Sequence, residues 1–166
     1  SDGQVQFNEK KVSSSDLATF YNIADCTLNI ADAEGFGLAT LESLSCETPI
    51  IVNMTGGLQE QVTDGKDWFG IGIEPSSKAV IGSLSVPYIY EDRISEKDFV
   101  DALVKMYEMS PKERAKLGKK GRAHVMKHYN FDDFKSTWVD TMVELHNDNG
   151  SWDTRKNYNS WESIEL

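Results

Sequence analysis

The chain has 166 residues, a formal net charge of −10, 39% hydrophobic and 27% charged residues. That length supports one domain with its own core, and that balance is globular rather than disordered. The only basic concentration, Lys112 to Arg122, alternates with apolar residues as one face of a helix; nucleic acid is therefore not expected as a partner, because phosphate neutralisation needs clustered Lys and Arg. A small phosphorylated ligand stays open, since a loop of backbone amides binds phosphate with little side-chain charge. No apolar run approaches the roughly 20 residues of a membrane span, and no signal-peptide pattern opens the chain, so a cytoplasmic location is expected. Cys26 and Cys46 form no C-x-x-C pair and read as buried reduced thiols rather than a disulfide framework or zinc site. The chain opens Ser1-Asp2-Gly3 without an initiator Met, which suggests a piece of something longer.

In chain order, Val5 to Phe7 reads as a short edge strand. Ser13-Ser14-Ser15-Asp16 offers a helix cap with an acidic residue in the first turn. Leu17, Phe20, Tyr21 and Ala24 follow at helical spacing and predict an inward-facing stripe. Thr27 to Ile30 is a strand, Leu38 to Cys46 a helix, Pro49 to Val52 a buried strand and Leu58 to Val62 a short helix ending at Asp64-Gly65. Gly70 to Ile73 suggests another strand, Pro75 to Leu84 a loop, and Val86 to Tyr90 an extended piece. Three helices follow. Ser95 caps the first; Ser110 with Pro111 at the first helical position opens the second, which runs to about Lys127; Phe131 to His146 forms the third. The stripe Phe134, Trp138, Val139 and Met142 on that last helix is expected in the core. His124, His128 and His146 are expected to be solvated. Asn147 to Gly150 is the one linker signal, so the expected division is a domain over 1–146 and a tail over 147–166 carrying Trp152, Tyr158 and Trp161. Strands and helices this closely spaced predict an α/β fold, a Rossmann-like parallel sheet flanked by helices.

The chemistry concentrates between Ala31 and Asn53. Strand, Glu34-Gly35-Phe36-Gly37, helix and second strand place backbone N–H groups and a helix N-terminus at the carboxyl end of a parallel sheet, where open α/β folds bind ligands. Leu38, Leu41, Ser45 and Glu42 fall on one face of that helix. Burying a carboxylate there costs on the order of a few kcal/mol, and helical side chains lean toward the N-terminus, so Glu42 is expected to reach toward Glu34. Carboxylates accept from sugar hydroxyls and amides donate to phosphate oxygens, which together suit a nucleotide-sugar. The plainer readings are that Gly-Phe-Gly is only a turn, that Glu42 rims an apolar stripe or pairs with a lysine, and that Thr55-Gly56-Gly57 is structural. A glycosidase's paired carboxylates would need no glycine turn opening a helix.

From Val12 to about Phe134 the chain resembles the C-terminal, donor-binding domain of glycosyltransferase family 4, the retaining GT-B enzymes. The resemblance rests on DLATFYNIADCTLNI, AEGFGLATLE, SLSCETPIIV, TGG, EQVTDG and the terminal helices from Ser95, in that order, with seven residues between Glu34 and Glu42. It implies that Glu34 contacts the transferred sugar near the reacting centre, and that Gly35, Phe36, Gly37 and Leu38 meet the diphosphate and ribose region. It implies ribose hydroxyls for Glu42, lesser roles for Thr55, Gly56 and Gly57, and a UDP- or GDP-sugar co-substrate with no divalent metal or other cofactor. The acceptor stays open between a glycan, a lipid and a small molecule.

Three departures stand out. Ala31-Asp32-Ala33 replaces the family's usual Pro-Ser, Ile71 to Arg93 is longer than the usual link, and Glu47 replaces a helix-terminating Gly. Glycine tolerates positive φ at that cap, so Glu47 costs about 1 kcal/mol or ends the helix differently. The family's acceptor domain and its diphosphate-neutralising Arg/Lys pair have no counterpart among these residues. The expectation is a donor-binding half of a retaining glycosyltransferase, completed by an upstream Rossmann-like domain or another chain, weak in donor binding alone, and peripheral to a membrane if that other half is. The alternatives are a module that binds nucleotide-sugar or protein without catalysis, and an unrelated flavodoxin-like interaction domain.

Overall fold

The computed structural model describes residues 5–156. Its centre is a three-stranded parallel sheet of β1 (Thr27–Asn29), β2 (Ile50–Asn53) and β3 (Gly70–Ile73), in the order β1-β2-β3. Thr27 pairs with Ile50, and Ile50 with Gly70. The middle strand is buried throughout, which explains its unbroken apolar run. Because side chains alternate along a strand, Ile51 faces one side and Ile50 and Val52 the other. On the first side Ile51, Ile71 and Ile73 pack with Ala102 and Met106 of α4 (Glu96–Glu108). The short helices α2 (Leu38–Ser45) and α3 (Leu58–Val62) follow β1 and β2, and α1 (Ser14–Ile23) lies against α2. The sheet with its helices is the α/β, Rossmann-like arrangement expected.

Local chemistry starts the helices where the sequence placed them. Ser13 and Ser95 accept from the amides of Asp16 and Asp98 at 3.2 and 3.1 Å. Ser110 and Glu113 close a reciprocal capping box at the head of α5 (Pro111–His128). Glu47 follows α2 at φ 62, the left-handed conformation that glycine normally supplies at a helix end. Gly118 of α5 sits so close that a methyl group there would lie 1.7 Å from the Glu47 carbonyl.

Several expectations are corrected. Residues 5–7 form no strand and are exposed. The α1 stripe is only partly covered: Leu17 and Tyr21 are half-buried, Phe20 is exposed, and Ala24 is the C-cap outside the helix. On α2 the buried residues are Thr40, Ser43 and Leu44, while Leu38 and Glu42 are exposed. The loop expected over Pro75 to Leu84 contains β4 (Ser77–Ile81), which pairs antiparallel with β5 (Ile89–Arg93) in a separate two-stranded sheet. Its distal residues, Val80, Ile81, Ile89 and Tyr90, are apolar on both faces, so the period-two contrast that marks a half-buried strand is missing. His124 is not simply solvated: its ring stacks on Phe69 with centroids 4.5 Å apart and faces the Glu60 carbonyl at 3.2 Å.

The described residues divide into two compact units between Met126 and Lys127. The second contains α6 (Phe131–Asn149), capped by Asn130, whose side chain accepts from the Asp133 amide at 2.8 Å. Asn147 to Asn149 are its last turn and Gly150 its C-cap, not a linker. Phe134, Trp138, Val139 and Met142 are exposed rather than core. A helical period shows which face is apolar, not what covers it. Trp152 is exposed beneath the Arg155 guanidinium, whose carbon lies 3.7 Å from the ring centroid. Tyr158 and Trp161 lie outside the described residues. No helix among the described residues is long and apolar enough to cross a membrane.

Candidate functional site

The carboxyl end of the sheet carries two adjoining turns. One is Glu34-Gly35-Phe36-Gly37 after β1; the other is Thr55-Gly56-Gly57 after β2. Gly37 is the N-cap of α2 at φ 88, a left-handed conformation that turns the chain sharply into the helix. It is buried, and a Cβ there would lie 2.5 Å from Leu58. Gly57 donates its amide to the Glu34 carbonyl at 3.3 Å. A Cβ on Gly56 would fall 1.8 Å from that carbonyl oxygen, and one on Gly57 would fall 2.7 Å from the Gly35 oxygen. The two turns touch backbone to backbone, which only glycine permits.

Two buried side chains lock this contact from below. Gln61, on α3, donates its Nε2 to the Phe36 carbonyl at 2.5 Å. The Thr40 hydroxyl, on α2, is shared between the Gly37 carbonyl at 2.7 Å and Gln61 Oε1. Both residues are fully buried. Sequence reasoning missed them; a polar pair at inward positions of two short helices flanking a glycine loop was the available signal. Asn53, also fully buried, donates its Nδ2 to the Ala31 and Asp92 carbonyls at 2.9 and 3.1 Å and so ties the end of β1 to β5. Thr55 donates to the Asp92 carboxylate at 2.8 Å, Arg93 pairs with Asp32 at 2.7 Å, and the Asp92 amide donates to the Asp32 carbonyl at 2.8 Å.

What faces outward is the helix end. No side chain caps α2, and its first turn holds no acidic residue, whereas α1, α3, α4, α5 and α6 each carry at least one there. Its first-turn amides have no partner within the helix, and its dipole presents a positive end. Gly35, Phe36 and Leu38 are exposed around it, and Glu34 is half-buried with no hydrogen bond or ion pair to its carboxylate among the described residues. The arrangement can therefore receive an anion at the helix end and a hydroxyl at Glu34.

Glu42 stands apart from the picture of a carboxylate buried beside Leu38 and reaching toward Glu34. It is exposed and accepts a hydrogen bond from the Tyr21 hydroxyl of α1 at 3.0 Å. Tyr21, Glu42, Leu17 and Cys46 line a groove of about 230 Å³ between α1 and α2. Burial, followed by the hydrogen bond to Glu42 and that carboxylate's charge, pushes the Tyr21 phenol up to about 12. Partial burial also raises the Cys26 thiol, with the Asp25 charge as a smaller cause. Among the described residues no three His, Cys, Asp or Glu side chains gather as a metal would require.

The model of the glycosyl transferases group 1 family matches residues 3–124. The chain belongs to this family. It is 34% identical over 86 residues to D-inositol 3-phosphate glycosyltransferase 2 of Catenulispora acidiphila, a match covering 50% of this chain and 20% of that protein. It is 38% identical over 66 residues to D-inositol 3-phosphate glycosyltransferase of Thermomonospora curvata, covering 39% and 15%. The matched segment thus spans a fifth or less of these relatives. Among solved structures, sucrose-phosphate synthase from Thermosynechococcus elongatus superposes with a TM-score of 0.64 at 22% identity, over 82% of this chain and 29% of that one. That likeness shows the fold, the Rossmann-like half of the GT-B architecture.

Proposed function

We propose that these residues form the donor-binding half of a retaining glycosyltransferase, which moves a sugar from a nucleotide-sugar to an acceptor held by another domain or chain. The observation that carries this reading is the uncapped, acid-free N-terminus of α2, set on a glycine turn that Gln61, Thr40 and Gly57 hold in place. The donor diphosphate lies at the amides of Gly37 and Leu38. A helix end and a few amides supply only about half a charge, so affinity is modest until further cations are brought to the diphosphate. Glu34 accepts from the sugar beside the bond that breaks. Glu42 binds the ribose hydroxyls, and its hydrogen bond from Tyr21 fixes the carboxylate's direction. Phe36, 43% exposed, offers an apolar surface beside the diphosphate. Gly56 and Gly57 act through backbone packing, and Thr55, only 5% exposed, acts by anchoring Asp92. No metal is needed where amides and cations carry the diphosphate.

The test is calorimetry with UDP-, GDP- and ADP-glucose. One nucleotide-sugar binds in the millimolar to high-micromolar range, and Glu34→Ala and Glu42→Ala each weaken it about tenfold or more, the loss expected for a hydrogen bond to a charged group, with Glu34→Ala leaving the melting temperature unchanged. Mutants that bind like the parent would remove the site assignment. No binding of any donor at millimolar concentration would favour a non-catalytic interaction module instead.

A further inference from the structure

The turn after β1 is held by two separate sets of contacts. Its later half, Phe36 and Gly37, rests on Gln61 of α3 and Thr40 of α2. Its earlier half is held by the base of the β4–β5 hairpin. The Asp92 amide donates to the Asp32 carbonyl at 2.8 Å, and the Arg93 guanidinium pairs with the Asp32 carboxylate at 2.7 Å. Glu91 pairs with the same guanidinium and so fixes its direction. The Asp92 and Ala31 carbonyls share the Nδ2 of Asn53. The Asp92 carboxylate accepts from the Thr55 hydroxyl at 2.8 Å, and Thr55 opens the turn whose Gly57 amide meets the Glu34 carbonyl at 3.3 Å.

Two routes therefore lead from the hairpin base to Glu34. One runs through Asp32, two residues before it in the chain. The other runs through Thr55 to Gly57, on which Glu34 leans. The Glu34 carboxylate has no hydrogen bond or ion pair of its own among the described residues, so the backbone beneath it dictates where it stands. A binding group keeps its geometry only when neighbouring contacts lock the element that carries it. Asp92 and Arg93 lock the segment that carries Glu34, whereas Gln61 and Thr40 lock the segment that opens α2.

We propose that Asp92 and Arg93 are positioning residues for Glu34: through Asp32 and Thr55 they set the carboxylate that meets the transferred sugar, while Gln61 and Thr40 set the amides that meet the diphosphate. This role rests on the donor reading above. The hairpin base thereby serves the preference for a nucleotide-sugar over the bare nucleotide.

The experiment is calorimetry of the full chain with UDP-, GDP- and ADP-glucose, each against its own nucleoside diphosphate. Asp92→Ala/Arg93→Ala weakens the nucleotide-sugar that binds on the order of fivefold or more, the coupling expected within one hydrogen-bonded network, and leaves the matching diphosphate within about twofold. Asp92→Asn/Arg93→Lys keeps an acceptor for Thr55 and a charge for Asp32, and recovers most of the loss. In a Glu34→Ala background the alanine pair costs nothing further. Retained diphosphate binding shows that a variant is folded. Where the alanine pair does not fold, Arg93→Ala alone, at a side chain 44% exposed, gives the same selective loss at smaller size. A parent that binds no nucleotide-sugar, or a Glu34→Ala variant that weakens sugar and diphosphate ligands alike, removes the donor reading and this role with it. If Glu34→Ala separates the two ligands but the hairpin variants do not, or if the losses simply add, the positioning role alone is overturned.

Discussion

Two segments leave the carboxyl end of the sheet side by side, joined where the Asp92 amide meets the Asp32 carbonyl at 2.8 Å. The Glu34–Gly37 turn is held by backbone contacts and fully buried polar side chains. The hairpin beside it is held by five pairs of ladder residues and its base, with its apolar residues in water. An isolated two-stranded hairpin is at best marginally stable, whereas a backbone-to-backbone contact between turns leaves no slack. One segment is built to keep a fixed shape toward a ligand and the other to present apolar surface, so substitutions of equal size must act unequally on them.

The largest effect is expected at the turn contact. Gly56→Ala forces a Cβ onto the Glu34 carbonyl at a residue with φ 48. It should cost about 3 kcal/mol or more, while Ser85→Ala at the hairpin tip should leave denaturant unfolding within about 0.5 kcal/mol of the parent. Equal effects at the two positions would break the distinction. Next comes Gln61→Leu, which removes the donor to the Phe36 carbonyl and should cost about 2 kcal/mol by urea melts. It should also weaken donor binding, because the turn loses its support. Unchanged binding in a destabilised Gln61→Leu variant would show that the turn's shape does not depend on this lock.

A smaller effect of opposite sign is expected at the end of α2. Glu47→Gly relieves a left-handed backbone at φ 62 and should raise stability by about 1 kcal/mol, less whatever the weak 4.0 Å contact with Arg122 supplies. The smallest is Tyr21→Phe. The folded phenol titrates near 12 rather than 10, so its neutral form is favoured by folding. That stabilisation is whole below about pH 10 and fades as pH rises through 12. In ultraviolet titration the parent-minus-variant difference should be centred near pH 12; a centre near 10 would mean that the phenol is neither buried nor held by Glu42 in solution.

Much of the fold was legible because its signals are local. The Ser13, Ser95 and Ser110 caps, the buried run at Ile50 to Val52 and the left-handed requirement at position 47 depend on a residue and its near neighbours. The glycine turn was legible for the same reason, and the order of motifs around Glu34 and Glu42 led to the family. The covered face of α2 is not legible from its period: Leu38, Leu41, Ser45 and Glu42 share a helical arc, yet Thr40, Ser43 and Leu44 are the residues that are buried. Polar Thr40 and Ser43 are stable inside only because Gln61, Thr27 and the Thr48 carbonyl reach them across 5 to 21 positions of sequence. Only the β4 half of the hairpin reads as loop, with Val86 to Tyr90 as an extended piece, because apolar residues on both faces of its distal half erase the alternation that marks a strand.

The sequence by itself therefore determined the strand–turn–helix–strand unit, the helix starts and the glycines that let two turns touch, since each follows from backbone sterics and short-range hydrogen bonding. Only the tertiary structure decided which polar side chains lock that contact, that Glu42 turns to Tyr21, and that the stripes of α6 and the hairpin lie at the surface. Those outcomes depend on which distant groups arrive to satisfy a buried donor or cover an apolar face, and periodicity along one element carries no record of its partners.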